Sequence, residues 1–223
     1  MSGRRADEPV VHVVSSRRVT SGLEDTMVAL FAATHHDADP DHPRALLRRL
    51  GRVALAFEGR VLVGFALGER RRLDLPRLPA QEVQLVGLAC VAEAHRRRGL
   101  VRALGTRVVA GDEPSPVSAL VCGRVAHPTA LGDLPRLPGA VPQVGRVPSA
   151  WHRDVGRALA TVHGAERFDP ATFVCRGRGR PIGAPRRATP VTPDAQALFA
   201  AVDPARGDSL LALAWTGAAP RGW

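Results

Sequence analysis

The stretch Val83–Gly105, VQLVGLACVAEAHRRRGLVRALG, decides how the rest of the chain reads. Its apolar opening, Val83 to Val91, predicts a buried strand. A short polar turn, Ala92 to His95, leads into Arg96-Arg97-Arg98-Gly99, and from Leu100 onward Leu100, Ala103, Leu104 and Val108 recur at helical spacing. Strand, basic glycine turn and helix together suit an anion. The first turn of a helix has N–H groups without partners, and its dipole end is partly positive. Gly99 lets the backbone approach a ligand, and the arginines add charge and forked donors. The same letters also suit a solvated basic turn, and the flanking elements favour the ligand.

Outward from that stretch, the clearest β signal is the pair of runs Val53–Phe57 and Val61–Leu67 around Glu58-Gly59-Arg60, which predicts a hairpin. Val10 to Val14 reads as a first strand. Ser21 with Glu24 reads as a capping box for a helix through Met27, Leu30 and Phe31, ending near His35-His36. A second helix is expected over Pro43 to Leu50. Glu69 to Ala80, with its arginines and two prolines, reads as a loop, and Pro114-Ser115-Pro116 as a break before a strand over Val117 to Cys122. Beyond it come a Pro/Gly-rich connection, a helix from Trp151 to His163 capped by Ser149, and a strand over Thr172 to Cys175. A short helix over Asp194 to Val202 and a last strand over Leu210 to Trp215 close the chain. The fold class is therefore α/β, with α and β elements around a mixed sheet.

Composition bounds the function. A chain of 223 residues with 45 % hydrophobic content suits one domain with additions, able to bury about 70 % of its extended surface. No run reaches the ~18 apolar residues of a membrane span, and residues 1–14 lack the apolar core of a signal peptide, so the expected location is the cytoplasm. The net charge is +10, yet the chain has no lysine, asparagine or tyrosine and a single isoleucine, a codon signature of a GC-rich bacterial genome. The residual excess of arginine favours anionic ligands. Cys90, Cys122 and Cys175 have neither CxxC spacing nor an even count, which argues against zinc and against a disulfide framework. His35-His36 followed by Asp37, Asp39 and Asp41 has the residue types of a metal cluster in a loop, and no metal is assigned to it. Arg176 to Arg187, rich in arginine, glycine and proline, lacks the interleaved aromatics that stack bases, so nucleic acid is an unlikely partner.

Leu88–Val101, LACVAEAHRRRGLV, resembles the coenzyme A motif of the GNAT superfamily of N-acetyltransferases, Gln/Arg-x-x-Gly-x-Gly/Ala after a strand and a turn. Arg96 and Gly99 match, and Val101 departs from the usual Gly or Ala. The order strand, two helices, three strands, helix, strand over residues 10–135 is similar to that of the acetyltransferase fold. The resemblance is to a divergent member, and what it implies is an acyl-coenzyme A-binding core over residues 10–140. Residues 141–223 would then complete the sheet and the acceptor side, and residues 1–9 would be a disordered tail. It also implies a central strand pair that splays apart, with Cys90 and Val91 giving backbone contacts to the pantetheine arm. Arg96, Arg97, Arg98, Gly99, Leu100 and Val101 would hold the pyrophosphate. The segment Val125–Leu134 is similar to the family's Asn-Pro-x-Ala-x-x-x-Tyr, which begins the next helix. His127 stands at the Asn position and Leu134 at the Tyr position, so the family's usual proton donor has no counterpart.

The implied activity is acyl transfer from acetyl-coenzyme A, or another acyl-coenzyme A, to the amine of a small molecule. That chemistry needs a neutral amine, a polarised carbonyl and a stabilised thiolate. Glu82 and His127 are the candidate acid–base residues. A solvated strand-end carboxylate stands as the alternative for Glu82, and a helix-start cap or an adenine-side contact for His127. His152 is more distant. Two other functions stay open: action on an acyl group borne by an acidic carrier protein or on a peptide amine, and a non-catalytic acyl-coenzyme A-binding module. A homodimer would be ordinary for the family.

Overall fold

The computed structural model describes residues 9–110, 118–186 and 190–223. Residues 1–8 of the expected tail, the Pro114-Ser115-Pro116 break, Val117 and Arg187 lie outside the described residues. In chain order the elements are β1 (Val10–Ser15), α1 (Ser21–Thr34), β2 (His35–His36), α2 (Asp41–Arg49), β3 (Arg52–Glu58), β4 (Val61–Leu75), β5 (Leu78–Val91) and α3 (Leu100–Val109). Then follow β6 (Leu120–Val125), α4 (Ala150–Val162), β7 (Phe168–Asp169), β8 (Val174–Cys175), β9 (Ala184–Pro185), α5 (Pro193–Leu198) and β10 (Ser209–Trp215). The expected mixed α/β class holds. The chain forms two compact units, one of Met1–Thr34, Pro40–Glu69 and Gly87–Ala110, the other of His35–Asp39, Arg70–Val86 and Gly111–Trp223.

In the first unit β3 pairs antiparallel with β1, from Val10↔Phe57 to Ser15↔Arg52, and with β4, from Arg52↔Gly68 to Glu58↔Val61. The hairpin expected at Glu58–Arg60 is present, with Gly59 left-handed at φ 58°. β4 is buried continuously from Leu62 to Glu69, as a strand covered on both faces must be. The core of this unit also buries Met27 and Phe31 of α1 and Leu104 and Val108 of α3, all at most 1 % exposed. Gly64 is what lets α3 and β5 close on β4. A Cβ there would sit 3.1 Å from both Leu104 Cδ1 and Val91 Cγ2.

In the second unit β5 pairs parallel with β6 over four residues, from Val83↔Leu120 to Val86↔Gly123. β10 then pairs antiparallel with β6 and with β8, and β8 with β7. β10 is buried along its whole length. Trp223 meets both Trp151 and Trp215 edge to face, each pair with centroids 5.3 Å apart. Their contact is closed by hydrogen bonds from Trp151 Nε1 to the Pro76 carbonyl and from Trp223 Nε1 to the Gly139 carbonyl, each 2.7 Å.

Several expectations are corrected. Glu69–Ala80 is not a loop: β4 continues to Leu75 and β5 starts at Leu78, with only Pro76-Arg77 between them. The arginines belong to strand alternation there, Arg72 donating through Nε to the Ala80 carbonyl and Arg70 pairing with Glu82. Ser21 does not cap α1. Thr20 does, its Oγ1 accepting from the Leu23 N–H at 3.4 Å, while Glu24 is held by Arg44 at 3.1 Å. The helix expected after His127 is replaced by two short 3-10 turns, Pro128–Leu131 and Leu134–Arg136. Gly132 at φ 55°, ψ −132° stops the first, and Pro135 sits inside the second. The last short helix ends at Leu198, not Val202, and the Thr172–Cys175 strand is confined to Val174–Cys175, since Phe173 is left-handed at φ 61°.

Candidate functional site

β5 enters the first unit at Gly87, just past the last pair of its parallel ladder. Gly87, Leu88 and Ala89 are half-exposed, whereas Cys90 and Val91 are 2 % and 4 % exposed. The accessible part of the strand therefore precedes the two residues expected to meet the pantetheine arm. Cys90 is engaged internally, its Sγ lying 3.0 Å from Thr34 Oγ1 at the end of α1. Burial pushes the Cys90 thiol up to about 11, against the smaller pulls of the Thr34 hydroxyl and Arg96. It is a packing residue with no thiolate at neutral pH. Cys122 and Cys175 are also buried and free, and both thiols are raised, chiefly by burial.

After β5 a 3-10 turn, Glu93–His95, closes with the Arg96 N–H on the Glu93 carbonyl at 3.2 Å. His95 is buried, with Nε2 3.3 Å from Glu58 Oε1. Arg96 then turns inward. Its Nε donates to the Val91 carbonyl and its Nη2 to the Thr34 carbonyl, each at 3.4 Å. The next residues turn out: Arg97, Arg98, Gly99, Val101 and Arg102 are exposed. Two left-handed residues, Arg97 at φ 62° and Gly99 at φ 74°, flank Arg98 and curl the backbone into the start of α3. A Cβ on Gly99 would meet nothing within 4 Å, so the glycine serves backbone angle and open approach.

The first helical bond is Ala103 N–H to the Gly99 carbonyl, at 3.0 Å. Among the described residues, no acceptor pairs with the six N–H groups from Arg97 to Arg102. No acidic residue stands in the first turn of α3, and no side chain caps it. Nor do Arg97, Arg98 or Arg102 make an ion pair with a described residue. Unpaired N–H groups, the positive end of a helix and three guanidiniums without a described counter-charge have the chemistry an anion would need. Sequence reading gave the turn and the helix start but not the left-handed Arg97, for which a non-glycine residue gives no signal. It also missed Arg102, which the helical period brings beside the turn.

The two expected acid–base residues lie in the second unit. Glu82, half-buried on β5, pairs through Oε2 with Arg70, and its Oε1 is buried without a hydrogen-bond partner. His127 caps the Pro128–Leu131 turn, its Nδ1 accepting from the Thr129 N–H at 3.3 Å and lying 2.8 Å from Thr129 Oγ1. Burial lowers its pKa, so the ring is neutral at pH 7. With Nδ1 accepting, the ring proton stands on Nε2. His152 is spent likewise, completing the capping box of α4 with Ser149 and packing on Trp223 at 4.8 Å. His35 and His36 pair as β2 with β9, and no group of three or more His, Cys, Asp or Glu among the described residues is arranged to hold a metal. Among the described residues no helix is long and apolar enough to cross a membrane.

No family model matches the chain, and no curated protein matches it. Solved structures do. One is diaminobutyrate acetyltransferase EctA from Paenibacillus lautus with L-2,4-diaminobutyric acid and coenzyme A, at 18 % identity and a TM-score of 0.36. That match covers 53 % of this chain and 66 % of the enzyme, so the chain spans about two thirds of its length. Another is the GNAT family N-acetyltransferase YhbS from Escherichia coli with coenzyme A, at 12 % identity and a TM-score of 0.38, covering 56 % of this chain and 67 % of the other. A third is the ribosomal-protein-alanine N-acetyltransferase of Brucella melitensis biovar Abortus 2308, at 18 % identity and a TM-score of 0.32, covering 49 % and 97 %.

Proposed function

We propose that the chain binds an acyl-coenzyme A at the Arg97–Arg102 turn and transfers its acyl group, most simply acetyl, to the amine of a small molecule. One observation carries this reading: among the described residues, six consecutive N–H groups have no acceptor and the three arginines beside them no counter-charge. Such a cluster is complementary to a pyrophosphate, which offers several acceptor oxygens and more than one negative charge. The half-exposed Gly87–Ala89 of β5, in the same unit, would offer backbone to the amide groups of the pantetheine arm. An acyl group on an acidic carrier protein presents the same arm and would suit the same arginines.

In the transfer the amine nitrogen attacks the thioester carbonyl carbon. A C–N bond forms, the C–S bond breaks, the nitrogen gives up a proton and the thiolate leaves. Glu82 is the candidate proton acceptor; its Oε2 is committed to Arg70, and its Oε1 is buried without a hydrogen-bond partner among the described residues. His127 is the candidate proton donor. Its Nδ1 is occupied, which disqualifies it as a base at that atom, and its Nε2–H is a donor that would stabilise the departing sulfur. The commitments of both residues also favour a second reading, a binding module for acyl-coenzyme A without turnover.

Thermal unfolding with acetyl-, propionyl- and longer acyl-coenzyme A tests the proposal, together with thiol release over an amine panel. A ligand at 100 times its dissociation constant adds ~2.7 kcal/mol to stability and raises the melting temperature. A rise with thiol release fits the transferase. A rise without release for any amine leaves the binding module. No rise with any coenzyme A ester sinks both.

A further inference from the structure

We infer that Arg96 is a positioning residue that ties the anion-binding turn to the end of α1, so that filling the turn stiffens the last turn of that helix. The inference rests on the coenzyme reading above. Among the three consecutive arginines, Arg96 alone is drawn inward, and its fork spans two elements: Nε to the Val91 carbonyl that ends β5, Nη2 to the Thr34 carbonyl that ends α1. α1 has no basic residue in its own last turn, so the cation its C-terminal carbonyls favour comes from Arg96. A second link runs beside the first. Thr34 Oγ1 donates to the Leu30 carbonyl at 2.8 Å and lies 3.0 Å from Cys90 Sγ, so the helix end touches β5 through two side chains.

The covalent neighbour of Arg96 is Arg97, the first of the six N–H groups without acceptors, held at φ 62°. An anion on those N–H groups fixes the turn in its curled form. Arg96 is then held over the Thr34 carbonyl, and opening of the last helical turn becomes costlier. By reciprocity, loosening α1 weakens anion binding by the same factor. This role differs from the pyrophosphate contact that the resemblance implies for Arg96. Its N–H is already on Glu93, and its guanidinium is turned to carbonyls.

Hydrogen exchange of the full chain with and without coenzyme A tests the link. In the wild type, amides of Arg97–Arg102 and of Phe31–Thr34 should both slow on binding, the helix end by about tenfold, within the usual range of site–site coupling. In Arg96→Met the turn should still slow while Phe31–Thr34 should not. A purely structural Arg96 would lower stability but leave the ligand response of α1 intact, and that result overturns the inference. So does wild-type slowing confined to the turn. No slowing at the turn removes the coenzyme reading and this inference with it. If Arg96→Met does not fold, Arg96→Lys carries the comparison, because one ammonium replaces a fork that spans two carbonyls.

Discussion

Arg96–Arg102 and Arg176–Arg186 are alike in composition, arginine and glycine following a strand, and opposite as structure. In the second segment carboxylates reach two arginines and one backbone N–H. Arg176 pairs with Asp208 at 2.9 Å, Arg178 with Glu166, and the Gly177 N–H donates to Asp208 at 2.7 Å. In the first, Arg96 is engaged, while the N–H groups and arginine side chains that follow find no acceptor among the described residues. Composition alone cannot separate a latch from a turn left open to a ligand. The difference lies in where carboxylates from distant parts of the chain arrive.

The largest effects should come from breaking the latch. Gly177 packs against the backbones of Arg206 and Gly207, and a Cβ there falls inside both. Gly177→Ala should cost about 3 kcal/mol, because backbone rather than a flexible side chain must yield. Asp208, 2 % exposed, is subject to desolvation that raises its pKa, but the Gly177 N–H and Arg176 outweigh it and hold the carboxyl below its ordinary value. With the folded pKa depressed, the unfolded chain binds more protons at acid pH. The stabilisation is therefore present above about pH 4 and lost as pH falls through the folded pKa. Urea unfolding should show that acid limb in the wild type and a flatter one in Asp208→Asn. Parallel limbs would mean that the carboxylate is not what closes this segment.

The anion turn should respond in the opposite way. Arg98→Glu reverses an exposed charge that pairs with no described residue, so unliganded stability should change by no more than about 0.5 kcal/mol. Coenzyme A affinity should fall at least about tenfold, the loss of one charged hydrogen bond plus repulsion. Arg178→Glu should leave affinity within about twofold. Calorimetric titration separates the two, and equal losses would erase the distinction between the segments.

The turn was legible in the sequence because a strand, three arginines, one glycine and a helical period fall in order within Val83–Gly105. Fold class and the β3–β4 hairpin were legible for the same reason: apolar period and turn chemistry are local. What was hidden depends on distant partners. The inward fate of Arg96 needs the end of α1, 62 residues away, and Glu82 becomes half of an ion pair only because β4 runs on through residues that composition reads as loop. The helix expected after His127 is interrupted by Gly132 and Pro135, which the family pattern does not contain.

His127 combines both fates in one ring and gives the smallest predicted effect. Nδ1 is compensated by the Thr129 N–H, as the latch groups are, while Nε2–H is uncommitted, as the turn's N–H groups are. Burial lowers the imidazole pKa below its unfolded value of about 6.5. The unfolded state therefore takes up a proton first as pH falls. The cap's contribution is full above about pH 6.5 and is lost as pH falls through the folded pKa, because a protonated Nδ1 cannot accept. Asparagine caps a turn without titrating. Urea midpoints of the wild type and His127→Asn should therefore run parallel above pH 7 and diverge between pH 6.5 and 5, with the wild type falling. His152, whose pKa burial also lowers, is present in both proteins and cancels in the difference. Midpoints that stay parallel to pH 5 would detach Nδ1 from the Thr129 N–H. The ring would then be uncommitted at both nitrogens, and the assignment of its proton to Nε2, on which its donor role depends, would fall with the cap.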